Sequence, residues 1–184
     1  MAPMQDNSAC DEELMERYAR GDVTAFEVLY RRHELRVWRY LQRETGNRAT
    51  AQDLMQEVWF AVARDAAHYQ PTARFTTWLF TIAHHRVIDS LRQRRREVAI
   101  DVEELAADPA AGPLPAAEAH DRSRALLAAV NRLPEDQRSA LVLQLDADLP
   151  VDAIATVTGC SFETAKSRLR YARTRLRELL TEYA

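Results

Sequence analysis

VDAIATVTGCSFETAKSRLRYARTRLRELL, residues 151–180, is divided by one glycine into a short apolar segment and a long basic one. Ile154 and Ala155 belong to the first segment, Gly159 follows four residues after the alanine, and Ser161 is a fair N-cap for what comes next. A small alanine lets a second helix cross close by, and a glycine supplies the positive φ of a tight turn. The spacing predicts a helix-turn-helix. Wound at about 100° per residue, the second helix carries Ala165, Leu169, Ala172 and Leu176 on one face. Glu163, Lys166, Ser167, Arg170, Tyr171 and Thr174 fall on the other. The first face is a core face. The second can enter a major groove and offer donors to base edges, with Arg168, Arg173 and Arg175 flanking it where phosphates would lie. A solvated basic face on an ordinary core helix is the plainer alternative. The glycine turn, the small alanine and the polar face arriving together favour DNA.

Upstream, Leu126, Leu127, Val130 and Leu133 mark one helix, Pro134 restarts the chain, and Leu141, Val142 and Leu145 mark another. Asp148-Leu149-Pro150 reads as a turn. Together these make a C-terminal domain over residues 122–184. Before it, residues 97–121 hold seven acids, no Lys or Arg, and Pro109, Pro113 and Pro115, with no sustained apolar face. That composition predicts a flexible acidic linker in preference to an irregular loop packed on one domain. It also accounts for a net charge of −3 in a chain with a basic C-terminal helix; local fields, not the total, decide where a polyanion binds.

An N-terminal domain is expected over residues 10–96. Asp22 or Thr24 can cap a helix carrying Phe26, Leu29, Tyr30, His33, Val37 and Leu41, and Gly46-Asn47 ends it. The next helix, from about Ala49 or Thr50, puts Leu54, Val58, Ala61 and Val62 on a buried stripe and leaves Asp53, Gln56 and Glu57 outside. Pro71 stops the pattern within residues 68–74. A fourth helix is expected from about Thr76 to Arg95. Here aromatics (Phe75, Trp78) precede Arg86, Asp89, Arg92 and Arg94–Arg96. Rings to stack on and charge to hold a backbone suit unstacked single-stranded bases, although core packing explains at least two of Trp78, Leu79 and Ile82. With only 4 glycines in 184 residues and helical periodicity throughout, the fold class is all-α, two small helical domains.

No apolar run approaches a membrane span, so no membrane insertion is expected. Residues 1–10 lack the basic and apolar parts of a secretion signal. Cys10 and Cys160 suggest neither disulfide nor zinc site, so a reducing, cytoplasmic location is expected. His84, His85 and Asp89 raise a metal site, but a third ligand is not evident. Without a nucleophile motif or phosphate loop, an enzyme is not expected, nor any cofactor or metal. A ligand-sensing regulator would need a pocket or phosphoacceptor. The exposed Asp-x-x-Gln-Glu face fits a protein partner better.

Three runs sharpen this: Asp-Leu-Met-Gln-Glu-Val-Trp at 53–59, Phe-Thr-Thr-Trp-Leu-Phe-Thr-Ile-Ala at 75–83, and Glu-Thr-Ala-Lys-Ser-Arg-Leu at 163–169. In this order, across an acidic linker, the chain resembles the extracytoplasmic-function sigma factors of bacterial RNA polymerase from Asp11 to Leu180. The resemblance implies a transcription initiation factor whose partners are core RNA polymerase, promoter DNA and an anti-sigma factor, in a stress or envelope response. It implies that the helix bearing Asp53, Gln56, Glu57 and Trp59 docks on the polymerase clamp helices. Residues 68–74, with Tyr69 and Arg74, resemble the loop that captures a flipped base of the minus-ten element. Phe75, Trp78, Arg86 and Arg92 resemble the strand-melting helix. Glu163, Lys166, Ser167, Arg168, Arg170, Tyr171 and Arg173 match the minus-thirty-five reader. Glu163 and Tyr171 stand where many members carry glycine and arginine, so the resemblance does not give the promoter sequence. The chain ends soon after its last helix, so the extra C-terminal domain of some members is not expected. Two promoter elements two duplex turns apart lie roughly 70 Å from one another. A flexible chain of some 25 residues typically spans only about 25–30 Å, so the free domains are expected to sit much closer together than a promoter requires.

Overall fold

A computed structural model describes residues 8–100 and 126–181. Among the described residues there is no strand, and the elements are α1 (Asp11–Ala19), α2 (Val23–Thr45), α3 (Arg48–Asp65), a 3-10 turn (Ala66–His68), α4 (Phe75–Ile100), α5 (helical over 126–131), α6 (Glu135–Leu145), α7 (Val151–Val157) and α8 (Phe162–Thr181). The expected linker lies outside the described residues from 101 to 121. Its first four residues, 97–100, continue α4 past the expected end. No glycine or proline interrupts the chain between Arg96 and Pro109, so nothing local stops the helix there.

Short-range capping sets the first three helices. The Cys10 thiol accepts from the Glu13 amide while the Glu13 carboxylate accepts from the Cys10 amide, a reciprocal box. Asp22 rather than Thr24 caps α2, accepting from the Thr24 amide at 3.1 Å. Gly46, left-handed at φ 63°, closes α2, and Asn47 opens α3 by accepting from the Thr50 amide. The start of α4 is held from a distance instead. The Glu12 carboxylate of α1 accepts from the Phe75 amide at 2.7 Å, placing a negative charge at a helix N-terminus.

In the first half α1–α4 close around Leu14, Leu29, Val37, Leu54, Val58, Val62, Leu79 and Phe80, all buried. Each such side chain contributes about 1.5–3 kcal/mol relative to exposure. In the second half Leu143, Ile154, Ala165 and Leu169 fill the space between α6, α7 and α8, and Leu133, Leu141, Ala172 and Leu179 form a satellite cluster. The halves are in contact: α4 packs against α7, and α2 against α6. Cross-links of charge line this seam, namely Arg36–Asp148 at 3.3 Å, Arg43–Asp146 at 2.9 Å and Arg95–Glu135. At its centre Ser139 donates to the buried Glu44 carboxyl at 2.9 Å.

Candidate nucleic-acid interface

The α7–α8 connection is a helix-turn-helix in its details. Gly159 has φ 63°, and the Cys160 amide donates to the Ala155 carbonyl at 3.0 Å, folding the turn back on α7. A methyl group at Gly159 would meet nothing within 4 Å, so the backbone and not space requires glycine. Ser161 caps α8 by accepting from the Thr164 amide at 3.1 Å. Ala155, Ala165, Leu169 and Ala172 are buried, with Leu176 partly so.

Glu163, Lys166, Arg170, Tyr171 and Thr174 are exposed on the opposite face, with Ser167 half-buried. The Arg170 guanidinium sits 4.8 Å from the centre of the Tyr171 ring and donates to its hydroxyl, which holds two side chains in one presentation. Arg168 reaches Asp136 of α6 at 2.6 Å, and Arg173 donates to Gln144 at 2.6 Å. Both therefore brace α8 against α6 here. A groove beside the reading face is lined by Gln144, Lys166, Arg170, Arg173 and Arg177, with no acid among its lining residues. Arg177 was not among the sequence candidates, although it lies four residues beyond Arg173 on the same helical stripe.

In the first half, residues 69–74 lead into α4. Tyr69 packs edge-on against Trp78, ring centres 5.0 Å apart, and burial beside Glu12 pushes its hydroxyl up to about 12. Trp78 is half-buried and Arg74 exposed. Phe75 is a correction: it is 0% exposed, beneath Tyr69, Trp78 and His33, and no base can stack on it. A ring at the first turn of a helix reads equally well as reader or as core, and here the core takes it. Arg86 lies 3.8 Å from Glu57 and joins α4 to α3, whereas Arg92 is largely exposed beside Asp89. His84 is turned inward to Tyr40 at 2.8 Å while His85 is exposed. Burial, then the neighbouring His85, brings the His84 imidazole down to about 4.

On α3, Asp53, Gln56 and Glu57 share an exposed face. Trp59 does not join them: its ring packs on Tyr30 at 4.9 Å and edge-on to Phe26 at 5.8 Å, so it supports the helix from behind. The large exposed apolar residue here is Phe60, 69% open. It follows Gln56 and Glu57 at four and three residues, and the sequence candidates do not include it. A groove of about 540 Å³ lined by Tyr30, Leu35, Trp38, Met55 and Gln56 runs alongside. Exposed apolar surface rimmed by polar groups marks a protein-binding site.

Two family models match in the same order. Sigma-70 region 2 covers residues 29–97 and Sigma-70 region 4 covers residues 123–176. The RNA polymerase sigma factor CarQ of Myxococcus xanthus is 38% identical over 91% of this chain and 96% of its own. The ECF RNA polymerase sigma factor SigE of Mycolicibacterium smegmatis is 34% identical over 90% of this chain and 66% of its own. Among solved structures, the sigma factor RpoE of Bartonella quintana, in complex with the anti-sigma factor NepR, superposes with a TM-score of 0.71 at 25% identity over 83% of this chain and 96% of its own. CnrH, in complex with the cytosolic domain of CnrY, has the same fold (TM-score 0.72, 21% identity, 95% of this chain and 99% of its own).

Proposed function

The chain belongs to the extracytoplasmic-function sigma factors of the sigma-70 family, and from that premise we propose how its surfaces divide the work. It is a transcription initiation factor, not an enzyme: it binds core RNA polymerase and directs it to promoters. Residues 10–96 dock on the polymerase and open the minus-ten element, residues 122–184 read the minus-thirty-five element, and the acidic stretch 97–121 joins them. The docking face is Asp53, Gln56 and Glu57 of α3, to which Phe60 adds an exposed anchor. The minus-ten surface is Tyr69, Arg74, Trp78, Arg86 and Arg92. The upstream element is read by Glu163, Lys166, Ser167, Arg170 and Tyr171, with Arg177, and Arg168 and Arg173 once freed from Asp136 and Gln144, holding phosphates. Among the described residues no helix is long and apolar enough to cross a membrane, and the protein works where the polymerase is, in the cytoplasm. Since RpoE of Bartonella quintana is solved with an anti-sigma factor, an anti-sigma factor is the regulator proposed here too.

One observation carries this reading. The base-reading face of α8 and the amide-and-acid face of α3 are both open, and they lie on opposite halves of one chain. The test is reconstitution. Core polymerase with the chain should yield run-off transcripts from its promoter, and core alone should not. No promoter-dependent product, with the chain retained on core, would remove the DNA assignment and leave the docking face standing.

A further inference from the structure

Glu44 is the one acidic side chain of α2 with no exposure to solvent, and its burial is made by the other half of the molecule. Ser139 of α6 donates to its Oε2 at 2.9 Å, and the Arg138 Nε lies 3.8 Å from the same oxygen, too far to hydrogen-bond. Oε1 has no partner. Tyr40, one turn earlier on α2, bears on the same spot, but its hydroxyl is hydrogen-bonded to His84 Nδ1 of α4 at 2.8 Å. From α6, Glu135 also bears on Glu44, while itself held by Arg95 of α4.

We propose that the closed packing of the two halves is an autoinhibited state latched at Glu44, a carboxyl that leaves water when α6 seats on α2. This rests on the reading of the chain as a factor that must span two promoter elements. Closure ties the end of α4 to Glu135. It also makes His85 and Arg92 share a cleft with Thr158 and Arg168 of the helix-turn-helix half, so one face of α4 is set against that half. The carboxyl suits closure in its neutral form. A neutral acid keeps the hydrogen bond from Ser139 and loses the cost of a buried charge with an unpaired oxygen. Burial outweighs the pull of Arg138 and brings Glu44 up to about 7. Opening returns it to water at its ordinary value of 4.5. The closed form thus holds the extra proton between those values, and its advantage is full at low pH and lost as pH rises through about 7. His84 works against this in the same range wherever opening wets it, because its neutral form belongs to the buried state. The diagnostic quantity is therefore the difference between wild type and a Glu44 variant.

The chain's two cysteines, Cys10 and Cys160, lie one in each half and accept distance labels. In the free full-length chain, Glu44→Gln keeps an acceptor for Ser139 without a charge. Its closed-to-open ratio at pH 8 should exceed wild type by about tenfold or more, since one unit of pKa difference is a factor of ten. At pH 4, below the open-form value of 4.5, the two should nearly coincide. Ser139→Ala, which leaves the carboxyl with no donor, should shift the chain toward open at both pH values and serves if the first variant folds poorly. An offset equal at both pH values, or a more open Glu44→Gln at pH 8, would overturn the latch; the second outcome would make the Arg138 ion pair the closing force. Unchanged label distances in both variants would overturn it too. Transcription measured beside the distances separates this failure from that of the functional reading. A latch that fails in a chain that still drives promoter-dependent transcription leaves the initiation factor intact.

Discussion

Gly159 has room for a methyl group but not the backbone for one. At φ 63° with nothing within 4 Å of a built Cβ, Gly159→Ala should destabilise the second half by about 1–2 kcal/mol through the left-handed penalty alone. A denaturant melt of the full chain would show it as a lower midpoint at unchanged slope, and an unchanged midpoint would mean that the turn relaxes. That role was legible in the sequence because a glycine four residues after a small alanine has few other uses. Phe75 and Trp59 were not legible in this way, because an aromatic ring has the same signature whether it waits for a partner or fills a core. Burial decides, and burial depends on Tyr69, Tyr30 and Phe26, which arrive from other elements. At the reading face the sequence and the geometry meet in Arg170. If it forms a bidentate pair with a base edge, Arg170→Ala should cost about 1–3 kcal/mol on the cognate element and relax preference there. Arg175, which leans on Glu178 at 3.4 Å, belongs with phosphates. Its alanine variant should weaken all sequences alike and flatten the salt dependence. Binding titrations on cognate and scrambled duplexes separate the two, and an equal loss for Arg170→Ala on both would reassign it to the backbone.

At the scale of elements, helical periodicity placed nearly every helix, because amphipathic stripes are a local property of the chain. The ends were harder. Asp22, Asn47 and Ser161 cap their own helices and could be read within a few residues. The start of α4 is capped by Glu12, 63 residues away, and no local pattern announces that. The tie between α2 and α4 is likewise tertiary: Tyr40 and His84 meet at 2.8 Å inside the first half. Because the folded His84 sits near 4 against 6.5 when free, its contribution to stability is fully present above 6.5. It fades as pH falls toward 4, where the unfolded chain takes up the proton first. Glu44, raised to about 7, works the other way over this range, so the readout is the difference between chains: in thermal melts from pH 7 to 4.5, His84→Gln should lose less stability than wild type. A parallel decline in both would assign the acid sensitivity elsewhere, for instance to Asp11, whose hydrogen bonds with His33 and Arg32 hold its carboxyl below the usual range despite its burial. For α3 the argument concerns a surface. Replacing Gln56 and Glu57 together with alanine raises helix propensity and removes exposed polar groups, so the fold should hold while retention on core polymerase falls. Phe60→Ala should weaken retention further. Full retention of the double variant would remove α3 from the docking face.

At the scale of the whole molecule, the contact between halves was legible only as an argument about reach. Glu44, Arg43 and Arg138 look like ordinary surface charges in the sequence, and only the packing of α6 on α2 makes a seam of them. The seam has a consequence for promoter binding. With α4 against α7, the minus-ten surface and the reading face of α8 are parts of one body. Their separation is then set by two small helical bundles in contact, not by the roughly 70 Å that two duplex turns demand. Individual surface ion pairs such as Arg36–Asp148 are worth at most about 1 kcal/mol each, so the seam can be opened by a partner that binds both halves apart. Core polymerase is that partner if it holds the two domains on separate surfaces. The free chain should therefore bind a full promoter no better than it binds the upstream element alone, because only one half can engage at a time. With core polymerase present, the two elements should become cooperative, and the distance between labels at Cys10 and Cys160 should rise toward the promoter spacing. Affinity measurements on full and half promoters, with and without core, test this. A free chain that gains from the second element, or labels that stay close in the polymerase complex, would show that the closed form is not what keeps it from DNA.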